Sequence, residues 1–238
     1  MNLLVSTGRA KPGVTSSVNE TVVLLHGIGL RAWTLWRLES HLRHEGYRVL
    51  NLTYPSRRLP IQQLGRDWLP DQLRRHGVSE TTRLHFVTHS MGGIVVRLWL
   101  RERGIPANLG NVVMLGPPNH GSTAADRMKT NSFLRWYMGP NLRDLGTSPD
   151  SVPLSLGPWP APASKLGVIA GDRTINPLFS SWLKEANDGA VTVRSARLEG
   201  MSEFIVLHHS HTILAWRADT LEAVKTFLRS GRFTTSSP

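Results

Sequence analysis

The chain has 238 residues, 40% of them hydrophobic, with 8 Trp spread along it and no Cys. A chain of this length and apolar content can bury a substantial core as one domain, and the absence of thiols excludes disulfides, thiolate metal sites and a cysteine nucleophile. Its formal charge of +11, from 28 Lys and Arg against 17 Asp and Glu, is dispersed rather than focused, which reads as a solvated basic surface with no specific nucleic-acid role and leaves peripheral contact with an anionic membrane surface as an alternative.

Residues 1–20 are polar, rich in Ser, Thr and Gly and without a sustained period, so they read as a loose arm ahead of a domain over 21–230, with 231–238 as a tail. The opening Met1-Asn2-Leu3-Leu4-Val5-Ser6 lacks the regions of a secretory signal, and no stretch approaches the roughly 20 apolar residues that cross a bilayer. A cytoplasmic location is expected. Val22-Val23-Leu24-Leu25 is a continuous apolar run ending in His26-Gly27-Ile28-Gly29, the pattern of a buried parallel strand and a glycine-rich turn. Trp33, Leu35, Trp36, Leu38 and Leu42 then recur at helical spacing up to Gly46. Residues 47–52 predict a second strand, and 61–76 a helix that Pro70 kinks or divides. Residues 84–87 predict a third strand, followed by a sharp turn through Ser90 and a helix over 94–100 stopping near Gly104. A fourth strand follows at 111–115. Over 116–163 repeated prolines break the rhythm, predicting an irregular covering or lid-like segment with one helical piece near 133–138. Residues 166–170 and 203–207 resume the sheet, and an amphipathic helix over about 213–228 closes the chain. Strands alternating with helices imply a single α/β domain with a mostly parallel sheet of about six strands.

A serine hydroxyl becomes a useful nucleophile when a constrained turn presents it beside a base. A strand-to-helix elbow with small residues around the serine, G-x-S-x-G, does this. Here the segment is Thr88-His89-Ser90-Met91-Gly92, with Thr at the first position, an apolar strand before it and Gly92-Gly93 leading into a helix. Ser90 is therefore the candidate nucleophile, with helix capping as its alternative use. Acyl transfer also needs backbone N–H donors for the oxyanion; the turns offer Met91, after the serine, and Ile28, after His26-Gly27. Gly27, Gly29, Leu30 and His89 complete the candidate substrate-binding set, Gly29 by keeping its loop open. Among ten histidines, His208, His209 and His211 follow the last strand, where a returning loop can reach the elbow. His211 is favoured because it lies beyond the strand and ahead of the last helix. Two carboxylates can orient such a base: Asp172, directly after the fifth strand, and Asp188, in the turn Asn187-Asp188-Gly189. Order along the chain does not separate them.

Taken in order, these segments resemble the alpha/beta-hydrolase superfamily, and within it the small bacterial lipase-like and esterase-like serine hydrolases. The resemblance spans about Thr21 to Leu228. It rests on Leu25-His26-Gly27-Ile28-Gly29, His89-Ser90-Met91-Gly92-Gly93, Asn187-Asp188-Gly189-Ala190-Val191-Thr192-Val193 and Ser210-His211-Thr212. It implies a mostly parallel sheet with little or no cap domain, no cofactor and no metal, and cleavage of carboxylic esters through an acyl-enzyme. Because such proteins carry their acid in an Asp-Gly-x-Val segment, the resemblance implies Asp188 rather than Asp172. Ser90 is then the nucleophile, His211 the base, and the N–H groups of Met91 and Ile28 the oxyanion donors. Thr88 is bulkier than the glycine or alanine usual at that place. The implied partner is a small-molecule or lipid ester. Thioester or amide cleavage, acyl transfer, and a binding module that keeps the fold without the chemistry are the alternatives.

Overall fold

Along the first strand, Glu20–Leu25 (β1), Val22 and Leu24 enter one core while Val23 and Leu25 enter another, as the two-residue period of a strand requires. A strand buried on both faces reads as an uninterrupted apolar run. Arg48–Leu52 (β2), Arg83–His89 (β3), Leu109–Leu115 (β4), Leu166–Gly171 (β5) and Glu203–Leu207 (β6) join it in one sheet, in the order β2-β1-β3-β4-β5-β6. Every neighbouring pair is parallel, so all the strands end at the same edge. The computed structural model describes residues 20–174, 183 and 185–233; the expected arm, apart from Glu20, and residues 234–238 of the expected tail lie outside them.

Helices cover both faces of this single α/β domain. On one face Ile61, Leu64, Leu69 and Leu73 pack with Ile94, Val95 and Leu98 of the central helix Met91–Arg103. On the other, Leu38 and Leu42 of Trp36–His44 pack with Val224, Phe227 and Leu228 of Ala218–Ser230. Among the described residues no helix is long and apolar enough to cross a membrane.

Four local expectations differ from the structure. Leu35, Leu38 and Leu42 are buried, but Trp33 and Trp36, which share their spacing, are exposed; the chain enters the helix through a 3-10 turn, Ala32–Leu35, which rotates them outward. The helix expected over 61–76 consists of Ile61–Gln63, a π-turn at Leu64–Trp68, and Leu69–Arg75. Its irregularity precedes Pro70, which sits in the first turn of the last piece, where its missing N–H matters least. The last helix begins at Ala218 rather than near 213; the intervening residues form a loop and a 3-10 turn, Leu214–Trp216.

The fourth difference is the covering segment. It contains four short helices, Thr123–Met128, Ser132–Met138, Asn141–Asp144 and Val152–Ser155, where one was expected. Buried polar side chains dock it. Arg97, on the central helix, donates to the carbonyls of Asn119, Pro153 and Gly157 and to the Asn119 side chain. Asn141 donates to the carbonyls of Ser56 and Leu59 and accepts from the Ile61 N–H. Buried main-chain groups need partners, and here two side chains supply six such bonds between the cover and the rest of the chain or within it.

Candidate active site

Ser90 joins β3 to the central helix with φ 54° and ψ −124°, the only non-glycine residue at positive φ among those described. A left-handed backbone costs an L-residue roughly 1–2 kcal/mol, so the surrounding contacts must impose it. The Ser90 N–H donates to the Leu115 carbonyl at 2.8 Å, and the Ser90 carbonyl accepts from Gly93 at 3.1 Å. Gly92 lets the helix meet β1: a Cβ there would stand 2.6 Å from the Leu25 carbonyl oxygen. The Ser90 hydroxyl does not cap the helix, so the capping use does not apply.

At the same sheet edge, His211 Nδ1 lies 2.7 Å from Asp188 Oδ2. Asp188 is almost fully buried, and its other oxygen accepts from the N–H groups of Ala190 (2.9 Å) and Val191 (2.8 Å). The turn therefore fixes the carboxylate before the histidine arrives, and the His211 N–H donates to the Asp188 carbonyl at 2.8 Å as well. With the carboxylate accepting, Nδ1 carries the proton and Nε2 is left as the basic nitrogen. Asp172 pairs instead with His208, at 2.9 Å and exposed, and His209 pairs with Asp219 at 2.7 Å. The geometry thus gives each of the three C-terminal histidines its own carboxylate.

The serine's neighbours meet this pair. Gly116, which follows the Leu115 that holds Ser90, has φ 54°, and a Cβ on it would stand 2.9 Å from Asp188 Oδ2 and 3.0 Å from His211 Nδ1. Only glycine fits there. His89, expected to contact substrate, is buried instead: its Nε2–H donates to the His211 carbonyl at 2.9 Å, and the two rings lie 4.7 Å apart. Burial lowers the His89 pKa to about 3, with His211 adding to the shift, so His89 stays neutral and holds the loop that carries His211. Its burial has a simple cause, since β3 is covered on both faces.

The turn after β1, which carries the candidate donor Ile28, is held by a second histidine. His26 Nδ1–H donates to the Gly27 carbonyl at 2.7 Å and Nε2 accepts from the Tyr54 N–H at 3.2 Å, which fixes a neutral tautomer. Burial lowers its pKa to about 4. The Tyr54 ring stacks on it at 4.2 Å, and the Tyr54 hydroxyl donates to the His26 carbonyl at 2.6 Å. Gly29, at φ 72°, donates its N–H to Ser56 Oγ at 3.0 Å, and Leu30 donates to the Gly27 carbonyl. The bonds that hold this turn therefore come from residues on either side of Ile28, as those at the elbow come from either side of Met91. Gly27 packs against His89 and Ser90. Gly29 and Leu30 line a cleft of about 300 Å³ with Thr53, Tyr54, Pro55 and three arginines. Larger grooves beside Trp68 and Trp99 (about 700 Å³) and beside His120 and Thr192 (about 530 Å³) contain none of the candidate residues.

Sequence reasoning missed Tyr54, Ser56 and Gly116. Gly116 had a signal, a glycine closing an apolar strand next to the elbow's strand; Tyr54 and Ser56 had none. Thr88 is buried with its hydroxyl unpartnered, and Gly93 makes room for it: a Cβ there would approach Thr88 Oγ1 to 3.3 Å. Among the described residues no set of three His, Asp or Glu side chains is placed to hold a metal ion.

The sequence matches the model of the alpha/beta hydrolase family over residues 22–231. Among solved structures, the mature form of a Bacillus licheniformis lipase is similar at 19% identity and TM-score 0.66, covering 88% of this chain and 90% of that one. A metagenomic carboxyl esterase is similar at 20% identity and TM-score 0.66, covering 87% and 69%. An esterase from Rhodococcus sp. is similar at 18% identity and TM-score 0.57, covering 90% and 92%. At such identities the likeness is one of fold. Among curated proteins none matches the sequence significantly.

Proposed function

From the premise that this chain belongs to the alpha/beta hydrolase family, we propose that it is a serine hydrolase cleaving carboxylic esters through an acyl-enzyme. The observation that carries the reading is Ser90 at φ 54° on the elbow, at the sheet edge where His211 is tied to a buried Asp188. A strained non-glycine residue is retained where function needs its side chain presented.

In this mechanism His211 Nε2 takes the Ser90 hydroxyl proton as the oxygen attacks the acyl carbon. Asp188, already fixed by two backbone N–H groups, holds the ring and stabilises the imidazolium. Negative charge develops on the former carbonyl oxygen, where the N–H groups of Met91 and Ile28 serve as donors; one such donor is worth about 3–4 kcal/mol. Collapse expels the alcohol, which receives the proton from His211. Water, deprotonated by the same nitrogen, then releases the acid. The fold likeness to a lipase and two esterases supports an ester rather than an amide as the substrate.

The test is hydrolysis of p-nitrophenyl esters of increasing acyl length. Turnover is expected with the wild-type chain and a loss of roughly 10⁴-fold or more with Ser90→Ala, at unchanged or raised melting temperature. Equal turnover by the variant would overturn the proposal. A thioester or amide panel on which the wild type is faster than on esters would redirect it to those substrates.

A further inference from the structure

The helix Ser132–Met138 buries none of its side chains. Phe133 is 66% exposed, Trp136 77% and Tyr137 47%. Single exposed apolar residues are ordinary, whereas three large aromatics on two helical turns mark a contact surface. This helix stands over the oxyanion turn: a Cβ on Gly29 would lie 3.3 Å from Met138 Sδ, and Gly139 packs against the Arg57 backbone. Beside it opens the 300 Å³ cleft, lined by Arg31, Arg57 and Arg58. Arg43, Arg74 and Arg229 pair with Glu39, Asp71 and Glu45, but Arg31, Arg57 and Arg58 have no ion-pair partner among the described residues. The sequence around them is one-sided too. No acidic residue occurs between Glu45 and Asp67, or between Asp126 and Asp144, while Arg57, Arg58, Arg127 and Arg135 fall in those intervals.

We infer that this rim, the aromatic helix with the arginine cleft beside it, is a docking surface for an anionic phospholipid membrane. Aromatic rings settle at the depth of the headgroups, and arginine guanidinium groups pair with lipid phosphates. This rim brings the two chemistries together beside the oxyanion turn, so docking would deliver a lipid ester to Ser90. That consequence rests on the hydrolase reading; the docking itself does not. A single-stranded nucleic acid fits less well, because it needs open ring faces for stacking. Here Arg57 lies over the Tyr137 ring at 4.7 Å, and Phe133 lies nearly parallel to the same ring at 6.2 Å.

The experiment is co-sedimentation of the full chain carrying Ser90→Ala, which leaves the lipid intact, with phosphatidylcholine vesicles and with vesicles containing phosphatidylglycerol. Binding is expected to be at least about tenfold stronger to the anionic vesicles and to weaken as salt rises. Phe133→Ser with Trp136→Ser should weaken it about tenfold or more, and Arg57→Gln with Arg58→Gln about 20-fold, each at a melting temperature near that of the parent. Equal partition to both vesicle types, or unchanged binding in either double variant, would overturn the inference. So would no vesicle binding together with a concentration-dependent dimer, or with oligonucleotide binding, that the aromatic variant abolishes. Turnover of a soluble short-chain ester by the wild-type chain is measured separately; its absence would overturn the hydrolase reading and leave vesicle binding to stand on its own result.

Discussion

Val22 to Leu25 and Asn141 lie equally deep in the protein, yet different forces keep them there. The β1 residues are held by repetition: each side chain joins one of two apolar layers, and each main-chain group joins a parallel ladder. Asn141 lies in a proline-rich segment and is buried with its amide satisfying three main-chain groups 80 or more residues away in sequence, the carbonyls of Ser56 and Leu59 and the N–H of Ile61. Arg97 does the same from below, reaching Asn119, Pro153 and Gly157. The contrast separates a scaffold whose stability is spread over many interchangeable contacts from a covering layer in which apolar anchors such as Leu142, Leu145 and Val152 are joined by a few buried polar side chains that tie distant stretches of backbone. Ser90 and the Asp188–His211 pair belong to the scaffold's edge, and the aromatic helix belongs to the cover.

The largest effect should fall on the scaffold edge. Asp188→Asn is expected to lower ester turnover by about 10⁴-fold, because an amide can favour the wrong His211 tautomer. Asp172→Asn, whose partner His208 is exposed, should change turnover by less than about twofold. Steady-state kinetics of the two variants separates the carboxylates, and the reverse ranking would move the acid to Asp172.

A stability change then probes the cover. Arg97→Ala should cost about 3–5 kcal/mol, since it strips partners from several buried carbonyls, and hydrogen exchange should quicken over 117–157 before it quickens in β1, β3 and β4. Uniform acceleration across both regions would mean that the cover and the sheet unfold as one unit.

Acid should act in the opposite sense. Burial depresses the pKa of His26, His85 and His89 to about 4, 4 and 3, below the unfolded value near 6.5. The unfolded chain therefore binds more protons, so the stability these residues contribute is full above about pH 6.5 and is lost as pH falls toward 4 and 3. Between pH 7 and pH 5 each histidine should account for about 1–2 kcal/mol. The cover's buried charge is indifferent there, because burial lowers the Arg97 pKa only to about 10. Urea midpoints at the two pH values check the sum, and His85→Asn, away from the candidate site, should reduce the difference. The smallest effect is expected at Thr88. Thr88→Val removes a buried hydroxyl without a partner and should raise stability by about 1 kcal/mol with the elbow's turnover retained.

The same contrast governs what could be read from the sequence. The six strands were legible because period and apolar content are local properties, and the Ser90 elbow because its glycines sit next to it in the chain. Asp188 was one of two carboxylates until a family resemblance chose it; the pairing that distinguishes it, His211 with Asp188 and His208 with Asp172, is set by how the last two loops return over the sheet edge. His89 looked accessible because it adjoins Ser90, but β3 is covered on both faces, so His89 is buried there. Three of the four short helices of the cover, all but Ser132–Met138, escaped notice for the same reason that Asn141 and Arg97 did. Their stability comes from contacts distant in sequence, and nothing in a run of prolines records them.

The most direct test of the account is to label the folded protein with a fluorophosphonate and map the adduct. The account predicts one modified residue, Ser90, with labelling abolished in Ser90→Ala and strongly slowed in Asp188→Asn. No adduct in folded protein, or an adduct on another serine, would contradict it.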